Sequence, residues 1–151
     1  MALNADFLGR TWPAVGTYVV GREKIREFAA SFGETNPLCL DVEAARAAGY
    51  PDLVAPPTFP VVITGVAMDR VLFDPELGLN YAMVVHGEQR FAYTRPVTAG
   101  DVLAVEMRLT NIRAMAGNDI LTVEAEVTDE SGAHVVTATG VIVSRGTATE
   151  G

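Results

Sequence analysis

Two hydrophobic periods divide the chain. Over residues 22–32 (REKIREFAASF), Ile25, Phe28, Ala29 and Phe32 recur at i, i+3, i+4 and i+7, while Arg22, Glu23, Lys24, Arg26 and Glu27 fall outside that stripe. This predicts an amphipathic helix, with Gly33 ending it as a C′ residue. A short second helix fits 42–48, with Asp41 as N-cap and Gly49 behind it. The stretch 56-PPTFPVVITGVAMDRVLF-73 is apolar on nearly every side and predicts a helix enclosed by protein all round. Pro57 and Thr58 would begin it, and Pro60 is tolerable only in its first turn. The β-branched content also allows a buried strand; length and the Pro-Pro-Thr start favour helix.

From about residue 81 the period falls to two. In 82–95, Val85, Phe91 and Tyr93 alternate with His86, Glu88, Arg90 and Thr94, which puts His86 on the polar side. Alternating runs at 102–112 and 120–128 and a last strand at 134–144 follow, separated by the Gly-bearing turns AGND and DESG. With a first strand at 17–21 (TYVVG), the expectation is α+β: a four-stranded antiparallel meander extended to a five-stranded sheet, wrapped around a long buried central helix. One such sheet leaves its edges open, so pairing with a second copy or a relative is expected. A single domain is read over 1–146, with 147–151 as a disordered tail.

Composition narrows the partners. The chain has 151 residues, 49% apolar and 20% charged, which is globular, and its net charge of −8 argues against nucleic acid and anionic membrane. Arg22, Lys24 and Arg26 are the cations available for a local basic patch. The single cysteine allows neither an internal disulfide nor a thiolate cluster, so no metal is expected, and it fits a reducing cytosol. The N-terminus lacks a basic signal region, and the apolar run 59–68 is about half the ~20 residues of a membrane span. A cytoplasmic location is expected.

Three stretches carry the candidate chemistry: 33-GETNPLCLD-41, 54-VAPPTF-59 and 85-VHGEQRFAYTRPVTAGD-101. Each residue has a plain structural reading. Gly33 caps a helix, Asn36-Pro37 makes a turn, Asp41 is an N-cap, Cys39 is a small buried residue and Glu34 a loop carboxylate. His86 is structural and His134, past a hairpin, is on the surface.

Together these stretches resemble the hotdog fold over about residues 5–145, and within it the MaoC-like dehydratase and type 2 enoyl-thioester hydratase family. The overall resemblance is greatest to the actinobacterial HadA/HadC-type subunits of (3R)-hydroxyacyl-ACP dehydratases. Catalytic members of the family carry G-D-x-N-P-x-H-x-D. Here Asn36, Pro37 and Asp41 match, but Glu34 stands at the Asp position and Cys39 at the His position. Interconverting a 3-hydroxyacyl and an enoyl thioester needs a carboxylate and an imidazole that exchange protons near neutrality, and backbone N–H donors for the thioester oxygen. Glutamate moves the carboxylate by ~1 Å, which can cost on the order of 100-fold. A thiol, with a pKa of ~8.5, does not shuttle protons as imidazole does.

The resemblance therefore implies a degenerate site. It points to a non-catalytic subunit that accommodates the acyl chain beside a catalytic MaoC-like partner, with no cofactor and the substrate carried as a CoA or acyl-carrier-protein thioester. Pro57, Thr58, Phe59, Val62 and His86 are the candidate substrate contacts, and the small residues Thr58, Thr64, Gly65 and Ala67 would leave room for a chain. Two alternatives stand beside it: a self-paired acyl-thioester-binding module without turnover, and an active homodimeric (R)-specific hydratase using Glu34 and His86.

Overall fold

The computed structural model of the protein describes residues 3–148. Helix α1 (Arg22–Ser31) turns Ile25 and Ala29 inward, as the stripe requires. It ends in a Schellman pattern: Gly33 takes φ +73°, its N–H reaches Ala30 O at 3.2 Å, and the N–H of Glu34 reaches Ala29 O at 2.9 Å. A one-turn helix that the periodicity does not predict follows, α2 (Pro37–Leu40). Asn36 accepts from the Leu38 N–H, and Pro37 sits in the first turn. Asp41 then caps α3 (Val42–Ala47) through the N–H groups of Glu43 and Ala44.

The central helix α4 (Pro60–Leu72) starts later than Pro57 and Thr58 suggest: residues 57–59 form a turn, and the helix begins at Pro60. It is also not enclosed all round. Ile63, Thr64, Val71 and Leu72 are buried, whereas Val61 is 41% and Val66 74% exposed, with Gly65 open between them. The apolar composition belongs to a helix with two apolar faces, of which this chain covers one.

Among the described residues the sheet is antiparallel, six-stranded rather than five-stranded, and not a meander. Its strands are β1 (Thr11–Trp12), β2 (Tyr18–Val19), β3 (Val84–Tyr93), β4 (Val102–Met115), β5 (Asn118–Thr128) and β6 (His134–Ser144). The order is β1-β4-β5-β6-β3, with β2 also on β4, so β3 lies beside β6 and never touches β4. The connection after β3 explains this. Its backbone is spent on the segment before α4: Ala55 N–H reaches Val97 O at 2.8 Å, Ala99 N–H reaches Leu53 O at 2.9 Å, and Val54 bridges Thr98. A segment tied there crosses over the sheet end rather than folding back as a hairpin.

The concave face of the sheet holds Leu103, Met107 and Leu109 from β4, Leu121, Val123 and Val127 from β5, and Val136, Ala138 and Ile142 from β6, all buried. Burying each large aliphatic side chain contributes about 1.5–3 kcal/mol. Phe59 is fully buried and meets Phe28 edge-on at 5.5 Å, which joins α1 to the start of α4. The stretch read as a tail from residue 147 is anchored where it is described. Thr147 Oγ1 donates to Asp119 at 2.8 Å, and Ala148 N–H to Gly117 O at 3.3 Å. Residues 149–151 of that stretch lie outside the described residues.

Candidate functional site

The Schellman stop delivers Glu34 to the lip of a cleft of about 380 Å³. Glu34, Asn36 and Cys39 form one wall, Pro57 another, and Tyr93 and Arg95 the third. Glu34 Oε1 accepts the N–H groups of Thr35 and Asn36, both at 2.9 Å, and Asn36 Oδ1 accepts Leu38 N–H at 3.0 Å. Both polar side chains thus bind their own turn. Cys39 is 3% exposed, and its thiol is pushed up, first by burial and then by the Glu34 charge. It stays protonated at neutral pH.

The opposite wall is rigid. Tyr93 donates its hydroxyl to Pro57 O at 2.7 Å, and burial pushes its phenol up to about 12. Arg95 is gripped by Asp101 at 2.9 and 3.1 Å and by Asp129 at 3.2 Å. Reasoning from sequence did not single out Tyr93 or Arg95. The signal was available in the third stretch, where Tyr93 ends an alternating run and Arg95 precedes a proline.

A helix N-terminus ordinarily offers free N–H donors. Here Phe59 N–H is taken by Pro56 O, Val61 N–H by Thr58 O and Val62 N–H by Phe59 O, while Pro57 and Pro60 have none.

Of the candidate contacts, Pro57 shares the cleft with Glu34, Asn36 and Cys39. Thr58 is exposed in the adjoining turn. Phe59 packs inside the core, and half-buried Val62 borders a separate dimple beside Lys24 and Phe28. His86 is not on the polar side of β3. A bulge at Gly87 shifts the register, so that His86 opposes buried Ile142 while Phe91 opposes buried Ala138, on the concave face. A Cβ on Gly140 would meet Met68 Cε at 3.4 Å, Gln89 Oε1 at 3.7 Å and His86 Nε2 at 4.0 Å, so these three side chains converge there. Tyr93 is at the other end of the strand, roughly 20 Å away at ~3.3 Å per residue. Glu34 and His86 are therefore not brought together within one chain.

The three N-terminal cations form no free patch. Arg22 pairs with Asp52 (2.9 and 2.6 Å), Lys24 with Glu27 (3.0 Å) and Arg26 with Glu23. A second, apolar groove of about 300 Å³ runs beside α4, lined by Ile63, Val66, Ala67, Leu103 and Val105, with the loop around Val15 across it. No described helix is long and apolar enough to cross a membrane.

Comparison with known proteins gives a consistent picture. The family described as FAS1-like, dehydratase domain region, matches residues 6–138. A UPF0336 protein of Streptomyces avermitilis is 54% identical over 145 residues, covering 96% of this chain and 97% of that protein. One from Clavibacter michiganensis is 51% identical over 146 residues, covering 97% and 98%. Among solved structures, a MaoC-like dehydratase superposes with a TM-score of 0.86 at 33% identity over 92% of this chain; the chain spans 42% of that protein's length. A C-terminally truncated HadBC (3R-hydroxyacyl-ACP dehydratase) complex from Mycobacterium tuberculosis gives 0.82 at 28% identity, covering 93% of this chain and 99% of that one. The fold is the hotdog fold of the MaoC-like dehydratases.

Proposed function

This chain belongs to the FAS1-like dehydratase domain region family, and from that premise we propose that it is a non-catalytic subunit of a (3R)-hydroxyacyl-thioester dehydratase. In this reading it accommodates the acyl chain beside a catalytic MaoC-like hotdog partner. The observation that carries the proposal is the state of the cleft. A buried, protonated thiol occupies the position where the resemblance places an imidazole, and the neighbouring carboxylate is bound to two N–H groups of its own turn.

Dehydration needs a proton taken from the α carbon and hydroxide released as water from C3. Cys39 does not exchange protons at neutral pH, and His86 is roughly 20 Å along β3 from the cleft. The N–H groups that would stabilise charge on the thioester oxygen are largely spent within the turn before α4. The chain therefore lacks the parts of a complete site.

Pairing is supported by surfaces outside the cleft. The open face of α4 and the unpaired edge of β3 present exposed Val61, Val66 and Val85 beside free backbone groups. HadBC is itself a complex, which favours a hotdog chain as the partner. The apolar groove beside α4 gives the acyl chain a place, while Pro57 lines the cleft that would face the thioester. The carrier is CoA or an acyl carrier protein; the paired state of Arg22, Lys24 and Arg26 weakens this face as a dock for an acidic carrier.

The test is hydration of a trans-2-enoyl-CoA series, by the chain alone and co-purified with a MaoC-like chain carrying an intact G-D-x-N-P-x-H motif. Silence alone and turnover in the pair is the expected result. Turnover by the single chain that Glu34→Ala abolishes would overturn it. The double change Glu34→Asp with Cys39→His is expected to raise the single chain above the blank where the scaffold is otherwise competent; no gain would place the defect outside the motif, in the spent N–H groups before α4.

A further inference from the structure

Beside the cleft, on the side away from Glu34, four side chains form a continuous hydrogen-bonded line. Thr94, which also lines the cleft, has Oγ1 2.5 Å from His134 Nδ1. His134 Nε2 is 2.8 Å from Thr137 Oγ1, and Thr137 Oγ1 is 3.0 Å from Glu126 Oε1. The direction of every proton in this line follows from its far end. An ionised carboxylate only accepts, so Thr137 gives its single hydroxyl proton to Glu126. Thr137 must then accept from the imidazole, which puts the proton of neutral His134 on Nε2; Glu126 Oε2 at 3.5 Å from Nε2 reinforces this. Nδ1 is left bare and accepts the proton of Thr94. A residue that reads as plain surface in the sequence is thus fixed in one tautomer.

We propose that His134 is a positioning residue for the cleft, setting the direction of the Thr94 hydroxyl according to its own charge. Neutral His134 draws the Thr94 proton onto Nδ1, and Thr94 offers the cleft no donor. Once His134 is protonated, Nδ1–H donates to Thr94 Oγ1. The hydroxyl proton is then released toward another acceptor, and the carbonyl oxygen of a ligand in the cleft fits that role. The charged groups around the imidazole are Glu126 on β5, Glu106 opposite it on β4, and Arg95 of the β3–β4 connection with its partners Asp101 and Asp129. Arg95 is already paired with two carboxylates.

The relay is tested on the intact chain with ¹⁵N-labelled histidine. Two-bond ¹H–¹⁵N correlations are expected to show His134 as the Nε2–H tautomer at neutral pH. The backbone signals of Tyr93, Thr94 and Cys39 are expected to titrate with the His134 midpoint in the wild type and to lose that dependence in Thr94→Val. A neutral trans-2-enoyl thioester of N-acetylcysteamine, free of titrating phosphates, is expected to bind about fivefold more tightly to the protonated form, the scale of one added hydrogen bond, with the gain lost in Thr94→Val. An Nδ1–H tautomer, or cleft signals indifferent to His134, overturns the proposal. The ligand arm rests on the acyl-thioester reading above. Absence of thioester binding at every pH would count against that reading, while tautomer and co-titration still decide the relay.

Discussion

Phe59 and Thr58 are neighbours in sequence with opposite fates. Both lie at the start of the central helix and both suggest themselves as substrate contacts, yet Phe59 is 0% exposed against Phe28 and Thr58 stands in the open. Phe59→Ala is expected to cost about 3–5 kcal/mol in denaturant unfolding, and Thr58→Ala under ~0.5 kcal/mol. The acid side of the stability profile also belongs to single residues. The Asp52 carboxyl is held down from 3.8 to about 2, chiefly by the Arg22 hydrogen bond, and that of Asp129 likewise to about 2, chiefly by the Ser131 hydroxyl and then by Arg95. Both are depressed in the fold, so their contribution is complete above 3.8 and is lost as pH falls toward 2. Between those values Asp52→Asn is expected to flatten the decline of Tm with pH. Cys39 as a small buried side chain and Asp41 as a cap were legible in the sequence, because burial and capping are local properties of residue type. The bond between Tyr93 and Pro57 joins residues 36 positions apart, and no local pattern encodes it.

At the scale of elements, the stripe of α1, the existence of the central helix, Gly33 as a stop and the four long strands were readable from period and turn chemistry. Two errors have physical causes. Helix α2 is too short to show a period, and Asn36-Pro37 signals a turn equally well. On β3 the strict alternation that put His86 on the outside is broken by the bulge at Gly87, where one extra residue reverses the sides of everything before it. A Cβ at Gly87 would lie 3.3 Å from both Val141 O and Val143 Cγ2. Gly87→Ala is therefore expected to destabilise the chain by about 1–3 kcal/mol and to shift the His86 ring signals in an NMR spectrum. Unchanged ring signals would mean that the bulge does not aim His86.

For the whole molecule, the sequence called for a covered helix and an open sheet edge, and the fold leaves one face of α4 open and sets β3 at the end of the sheet. If that face is where another hotdog chain docks, a charge in its middle is decisive. Val66, 74% exposed, is the position to choose. Val66→Glu is expected to leave the Tm of this chain within a few degrees, since surface changes cost within about 0.5 kcal/mol, while shifting the sedimentation velocity of its co-purified pair with the MaoC-like chain from a dimeric to a monomeric species. A dimer that survives the change would place the interface elsewhere.

The crossing of the β3–β4 connection has a further consequence, for the birth of the protein. The strand that completes the ladder for β3 is β6, the last of the sheet. During synthesis, α4 and β3 emerge and then wait until residues 134–144 follow them. At roughly 5–20 residues per second that interval is a matter of seconds. For its length an apolar helix and a bare strand are exposed to solvent together. Pairing so distant in sequence is also slow to form once the chain is complete. The nascent chain is thus most open to misfolding and aggregation in the interval between the two halves of its sheet.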